Sequence, residues 1–394
     1  LIARLEAEHA TLREVLSWLE FRHRPDEFLR LAAALGWFWL HRSYRAEGRR
    51  WLDSAIDQAT GAGIRSVALA RALDGAAVLA FSAGASERAH AATVDYLALS
   101  QELGDQWGVA GAWNLQGAIA RAQGELDAAD AAFAEALARF AALSDPGWIA
   151  LATLNRGSVA YWQGRADQAI GLMEEALARY QAADDAYGQA IAWSDLGRAL
   201  ADAGDHAPAA ERFRQSLAQW RRVGTKEGLI DWLTRVATLR AQRGEERQAI
   251  RWFSAAEALR TPLGYMFDRP ERDRQRRALE MARLALGEER ATQAWMGGRA
   301  LPFEDALAEA EGWLASIATS PQAAPGSQDV LADLTPRERD VLRLLIQGQS
   351  DRQIGDALFI SHRTVMRHVE HVLAKLDVKS RTAAATFAVR QGFV

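Results

Sequence analysis

The residues best placed to do chemistry lie between Ser361 and Arg381, in the stretch SHRTVMRHVEHVLAKLDVKSR. On a helix, at about 100° per residue, Val365, Val369, Val372 and Leu376 share one stripe and must face a core. Arg363, Arg367, Glu370 and Ala374 cluster on the opposite side, with Met366 on the flank. A helix that buries one stripe and presents arginine among small residues on the other suits a DNA major groove. There arginine reads guanine edges, and a glutamate accepts from a cytosine amino group. Thr364, Lys375, Lys379 and Arg381 are spaced to hold phosphates, which positions a helix without reading sequence. The same features also fit a plain helical cap with solvated charges.

Other chemistry has little to stand on. The chain has no cysteine, which excludes disulfides, thiolate metal sites and cysteine nucleophiles. The lysines are Lys226, Lys375 and Lys379, and none follows a glycine, so no phosphate loop of the GxxxxGK[ST] type occurs. His368 and His371 stand at i, i+3 with no carboxylate in evident ligand geometry. No Ser-His-Asp arrangement or carboxylate pair stands out. We therefore expect no catalysis, no cofactor, no metal and no ATP binding. Net charge is −4, yet residues 335–394 carry ten Lys+Arg against six Asp+Glu, a basic end on an acidic body. No apolar run approaches the ~20 residues of a membrane helix. Arg4, Glu6, Glu8 and His9 interrupt any leader pattern, which points to a soluble, cytoplasmic protein without a membrane partner.

The elements that position the basic end are legible from caps. Thr335-Pro336-Arg337-Glu338 is a capping box with proline at the first helical position, and Gly348 ends that helix. Ser350-Asp351-Arg352-Gln353 opens a second helix, Ser361 a third and Ser380 a fourth. The second and third pair through Leu358-Phe359-Ile360. Before them, residues 318–333 are poor in large apolar side chains and read as a linker.

Residues 1–317 carry a repeat of 40 residues. Glycine recurs at Gly84, Gly124, Gly164, Gly204 and Gly244, with alanine five residues later at Ala89, Ala129, Ala169, Ala209 and Ala249. Small residues precede the glycines by seven positions: Ala77, Gly117, Gly157, Gly197 and Ala237. Phe133, Met173, Phe213 and Phe253 follow by nine. Each unit reads as an antiparallel helix pair turned at the glycine. Its small residues allow close approach, and its large ones fill the space between units. Residues 26–60, turning at Ser43-Tyr44-Arg45, look like a degenerate first unit, and residues 271–317 like about three closing helices. Trp37-Phe38-Trp39 and Trp193 read as inter-helix packing or, alternatively, as the wall of a ligand groove. Leu5, Leu12, Val15, Leu16 and Leu19 form an apolar stripe with no earlier element to cover it. We expect the chain to be a piece of something longer.

Two resemblances sharpen this reading. The repeats resemble tetratricopeptide repeats. The stretch LTPRE, VLRLL, Gly348, Ile354, ISHRTV, His368, Lys375-Leu376 and Lys379-Ser380-Arg381 resembles the LuxR-type (NarL-like) DNA-binding domain over its whole length. That resemblance implies base reading from Met366, Arg367 and Glu370. It implies a DNA-contacting set of Ser361, Arg363, Thr364, Val365, Met366, Arg367, Glu370, Lys375, Lys379 and Arg381. It also implies a dimer contact on the fourth helix through Val378, Thr382 and Ala385. Position 366 is often basic in relatives and is methionine here. RLEAEHATLREVLSWL and GWFWLHRSYRAEGRRWLD look like the segments that follow an ATPase module in large multidomain LuxR-type regulators, and ALPFEDALAEAEGWLASI resembles the closing piece of their repeat region.

The expectation is an all-α protein: an α-solenoid of tetratricopeptide-like hairpins over 1–317, a linker over 318–333, and a four-helix LuxR-type helix-turn-helix domain over 334–394. Its function would be sequence-specific transcription regulation. The partners would be double-stranded DNA bound as a homodimer, an unknown effector on the repeats, and RNA polymerase or another protein. The alternative is an interaction scaffold whose terminal domain has lost DNA binding; intact Arg367, Lys375, Lys379 and Arg381 argue against it.

Overall fold

The computed structural model describes residues 2–42, 44–263, 265–319, 334–358, 360–376, 378 and 380–390. Among them are 21 helices and no strand, so the chain is all-α. It divides into two compact units, residues 1–319 and 320–394. The expected linker falls almost wholly outside the described residues, as do Ser43 and Phe359.

The first unit begins with α1 (Ile2–Ala7) and α2 (His9–Phe21) and continues in six hairpins. These are α3 (Pro25–His41) with α4 (Arg45–Gly61), α5 (Val67–Ser82) with α6 (Ser86–Glu102), and α7 (Gln106–Gln123) with α8 (Leu126–Ala142). Then come α9 (Pro146–Trp162) with α10 (Ala166–Ala182), α11 (Ala186–Asp202) with α12 (His206–Val223), and α13 (Lys226–Gln242) with α14 (Glu246–Leu263). Three helices close the array, α15 (Arg269–Leu286), α16 (Glu288–Arg299) and α17 (Phe303–Thr319).

The 40-residue period has a direct backbone cause. Gly84, Gly124, Gly164, Gly204 and Gly244 all adopt left-handed φ, between 74° and 89°, where a side chain would be strained. Midway between them, the link from one hairpin to the next also turns left-handed, at Gly104, Gly224 and the non-glycines Ser144 and Asp184. The next helix then starts on an aspartate cap. Asp105 accepts from the Gly108 amide at 2.9 Å, Asp145 from that of Trp148 at 3.2 Å, and Asp185 from that of Gly188 at 3.0 Å.

The small and large positions meet inside one hairpin as well as between hairpins. A Cβ on Gly117 would come within 2.7 Å of the Phe133 ring, and one on Gly197 within 3.0 Å of Phe213. The large residue thus fills the seat that the small one leaves across its own turn, which the sequence pattern assigned to the gap between units. Phe133 reaches that gap too, clustering with Val159 of the following hairpin. A second set, unforeseen from the sequence, joins successive hairpins: Tyr180 lies on Gly188 and Trp220 on Gly228.

Phe38, Trp39 and Trp193 are buried packing residues, whereas Trp37 faces an interior cavity. The amino-terminal stripe finds cover in its own unit. Leu16 and Leu19 are buried with Phe28, Leu29 and Leu52, and Leu5 and Leu12 pack against that core. Val15, expected in the stripe, is instead 40% exposed, and Trp18 and Phe21 on the open side of α2 are 53% and 78% exposed.

The second unit holds α18 (Pro336–Ile346), α19 (Asp351–Leu358), α20 (His362–Lys375) and α21 (Arg381–Arg390). Its core unites Leu334, Val341, Leu342, Leu345, Ile354, Val365, Val372, Leu376, Ala384 and Ala388.

Candidate nucleic-acid interface

Local bonds fix each helix of the second unit. Thr335 Oγ1 accepts from the Glu338 amide at 3.3 Å, and Glu338 Oε2 accepts from the Thr335 amide at 2.8 Å, a reciprocal capping box. Gly348, at φ 75°, turns the chain out of α18. The Ser350 amide donates to Gln353 Oε1 at 2.8 Å and starts α19. Ser361 Oγ accepts from the Thr364 amide at 3.2 Å and caps α20, and Ser380 Oγ accepts from the Ala383 amide at 3.1 Å before α21.

Between α19 and α20 the chain passes very close to itself. A Cβ on Gly355 would lie 2.9 Å from the Ile360 carbonyl, and the Ile360 amide donates to the Gly355 carbonyl at 3.0 Å. Only glycine lets the joint close this tightly, and it sets the angle at which α20 leaves α19. Sequence reasoning passed over Gly355. Its signal was an unexplained glycine beside the buried Ile354 in a short helix.

The faces of α20 separate as the helical wheel requires. Val365, Val372 and Leu376 are buried and Val369 half-buried. Met366, which is 45% exposed, lies with Arg367 and Glu370 on the solvent side. Ser361 is exposed and Thr364 half-buried; the Arg363 side chain and Lys379 lie outside the described residues. Val365, included in the DNA-contacting set, is wholly buried. It lies beneath the exposed face of α20 and has no surface to offer a base.

Two cations expected on phosphates are engaged within the unit. Lys375 Nζ donates to Glu338 Oε2 at 2.7 Å. Arg381 donates to Asp351 Oδ1 at 3.0 Å and to the Gln349 carbonyl at 2.6 Å, tying the start of α21 to the turn before α19. Burial works to raise the Glu338 carboxyl, but the bonds from Lys375 and Thr335 outweigh it and hold the group below its usual range. Glu338 announced itself in the sequence only as a cap. Its reach to Lys375, 37 residues away, depends on how α18 and α20 cross.

Of the residues expected at a dimer contact, Val378 is half-buried against the core and Ala385 half-buried. Ala384 and Ala388 are buried within the unit and unavailable to a second copy, and the Thr382 side chain lies outside the described residues. Among the described residues no group of three or more His, Cys, Asp or Glu is arranged to hold a metal. None of the helices they form is long and apolar enough to cross a membrane.

This geometry coincides with a known family. Residues 332–388 match the bacterial regulatory proteins of the luxR family, and residues 148–222 match the tetratricopeptide repeat. The chain carries a luxR-family helix-turn-helix domain. A Mycobacterium tuberculosis protein named as an HTH-type transcriptional regulator is 30% identical over 202 residues, 51% of this chain and 22% of that protein. The chain thus spans about a fifth of the length of the first curated relatives it matches. The DNA-binding transcriptional activator DevR/DosR of the same organism is 40% identical over 74 residues, 19% of this chain and 34% of that one. Among solved structures, the Rap conjugation gene regulator of the plasmid pLS20, in complex with the Phr* peptide, is similar at 15% identity and a TM-score of 0.49. The match covers 68% of this chain and 75% of that one. In the luxR-family domain, as in the wheel drawn from the sequence, α20 is the helix with a buried stripe and a polar face left over.

Proposed function

We propose that the chain is a sequence-specific DNA-binding transcription regulator. The luxR-family domain reads duplex DNA through Met366, Arg367 and Glu370 on α20, with Ser361 and Thr364 at the helix start. One observation carries the reading: the second helix of the helix-turn-helix buries Val365, Val372 and Leu376 completely or nearly so, and leaves Arg367 and Glu370 in solvent. Arginine beside glutamate on such a face matches the donor and acceptor code of the major groove. Phosphate contacts fall to Lys379 and Arg363 and to any share of Lys375 and Arg381 that DNA wins from Glu338 and Asp351.

The tetratricopeptide repeats bind an effector or protein partner that controls DNA binding or activation. They hold an interior cavity rather than a smooth packed core. Two copies meet on DNA through α21, with Ala385, Thr382 and Val378 nearest the contact, and the protein works in the cytoplasm as part of a longer regulator. Selection of DNA by the full chain from a random pool tests the reading. The expected product is a recurrent motif of two half-sites about ten base pairs apart, centre to centre. Recovery of no motif, with binding absent at low salt, contradicts it.

A further inference from the structure

The interior of the repeat unit holds a cavity of about 750 Å³, inside the ~300–1,000 Å³ usual for small-molecule sites. One end is formed where the first hairpin meets α13: Arg45 donates to Glu227 at 2.8 Å, although 182 residues separate them. The repeat rule breaks at this point. Asp105, Asp145 and Asp185 cap α7, α9 and α11, but the residue in that register before α13 is Thr225, and it makes no side-chain cap bond. Thr225 is 8% exposed and lines the cavity, and its hydroxyl has no partner. Arg45 lines the same cavity, and its Nε and Nη1 are buried without an acceptor. The amides of the α13 first turn add a positive helix end. Buried donors without acceptors are costly, so these groups together describe an anion that is not part of the chain.

Beside them runs an aromatic wall. Trp37 stacks on His41 at 5.4 Å between centroids, His41 meets Tyr187 edge-on at 5.3 Å, and Tyr187 meets Trp220 edge-on at 5.5 Å. All four line the cavity, yet Trp37 remains 51% and Tyr187 38% exposed. Large rings left open beside orphaned donors define a ligand with two ends.

We infer that this cavity binds a small organic anion. Its carboxylate or phosphate head is held by Thr225, Arg45 and the first turn of α13, and its flat apolar body lies on Trp37 and Tyr187. The inference rests on the proposal that the repeats bind an effector, and it names that effector's chemistry. Glu227 occupies one nitrogen of Arg45 and fixes the guanidinium, leaving the others for the head.

The test is calorimetry on the full chain with phenyl phosphate, benzoate, inorganic phosphate and, as an uncharged control, benzyl alcohol. At least one aryl anion should saturate at one per chain, and benzyl alcohol should bind about tenfold more weakly or not at all. Whichever aryl probe is tighter tells a phosphate head from a carboxylate. Thr225→Asp installs the cap that three other hairpins already use, so it should keep the melting temperature while weakening the aryl anion about tenfold or more. Arg45→Gln should show the same loss, and Trp37→Ala should weaken the aryl anions but not inorganic phosphate. Absence of aryl-anion binding at millimolar concentration, equal binding of benzyl alcohol, or unchanged affinity in both Thr225→Asp and Arg45→Gln overturns the site. A chain that selects its operator yet binds none of these probes loses this inference alone, and the regulator reading stands.

Discussion

The two units handle charge in opposite ways. In the repeat unit, arginines and carboxylates from distant hairpins meet in the interior: Arg198, with its side chain 2% exposed, donates to Glu271 at 2.8 Å and lies 3.1 Å from Asp195. Burial works to raise the Glu271 carboxyl, yet the guanidinium groups of Arg235, Arg198 and Arg274 hold it well below the usual range. Burial wins at Asp231, which is pushed up. In the luxR-family domain most charge stays outside, and the inward exception, Glu338, is tied to a cap and to Lys375. A solenoid that closes on itself must bring several faces together and pair what they carry. A four-helix domain with one small core can leave a whole face unpaired, and that face is free to meet a partner.

The largest effect should come from breaking the interior network. Arg198→Ala removes the guanidinium that bridges Glu271 and Asp195 in a buried site, leaving Asp195 to Arg235 and Glu271 to Gln275 and Arg274, and should cost about 3 kcal/mol in denaturant unfolding of the repeat unit. A loss near zero would mean that water or neighbouring arginines replace it, and the contrast between the units would weaken.

Next come the close approaches between hairpins. Gly188→Ala drives a methyl into the Tyr180 ring, itself buried, and should cost about 1–3 kcal/mol. Gly171, on α10, has nothing within 4 Å of its Cβ position. Gly171→Ala should instead gain up to about 1 kcal/mol from helix propensity. Equal effects at both sites would remove the packing argument for the 40-residue pattern.

In the luxR-family domain, Arg367→Ala should weaken a selected operator by roughly 1–3 kcal/mol and relax preference at one base pair. Arg381→Ala removes an internal tie, so it should lower the domain's stability and leave base preference intact. Titration gives the smallest effect. Because the Glu338 carboxyl is held low in the fold, its contribution is complete above the unfolded glutamate value of about 4.3 and is lost as pH falls through the folded value. The domain's stability in denaturant unfolding should therefore fall on acidification, and Glu338→Gln should flatten that acid limb.

Helices, caps and the repeat were legible in the sequence because their causes are local. A left-handed glycine, a threonine or serine cap and a helical stripe all act within a few residues of themselves. The α20 faces were legible for the same reason. What escaped was made by separation: Arg45 meeting Glu227, Tyr180 seated on Gly188, and Lys375 and Arg381 drawn into internal pairs. Val365 shows the limit from the other side. A motif places it beside contact residues, and only the helical wheel puts it in the core. Thr225 stood in the sequence as a departure from three aspartates, but its meaning depended on a cavity that no local pattern announces.

The most direct test of the central claim is binding of the full chain and of Arg367→Ala to one selected operator and to a scrambled duplex, each at two salt concentrations. The unaltered chain should bind its operator tightly, with an affinity that falls steeply with salt, and should clearly prefer it over the scrambled duplex. Arg367→Ala should lose much of that preference and keep the salt slope within about one unit. Equal affinity for both duplexes in the unaltered chain, or a variant indistinguishable from it, would contradict the claim that the exposed face of α20 reads DNA.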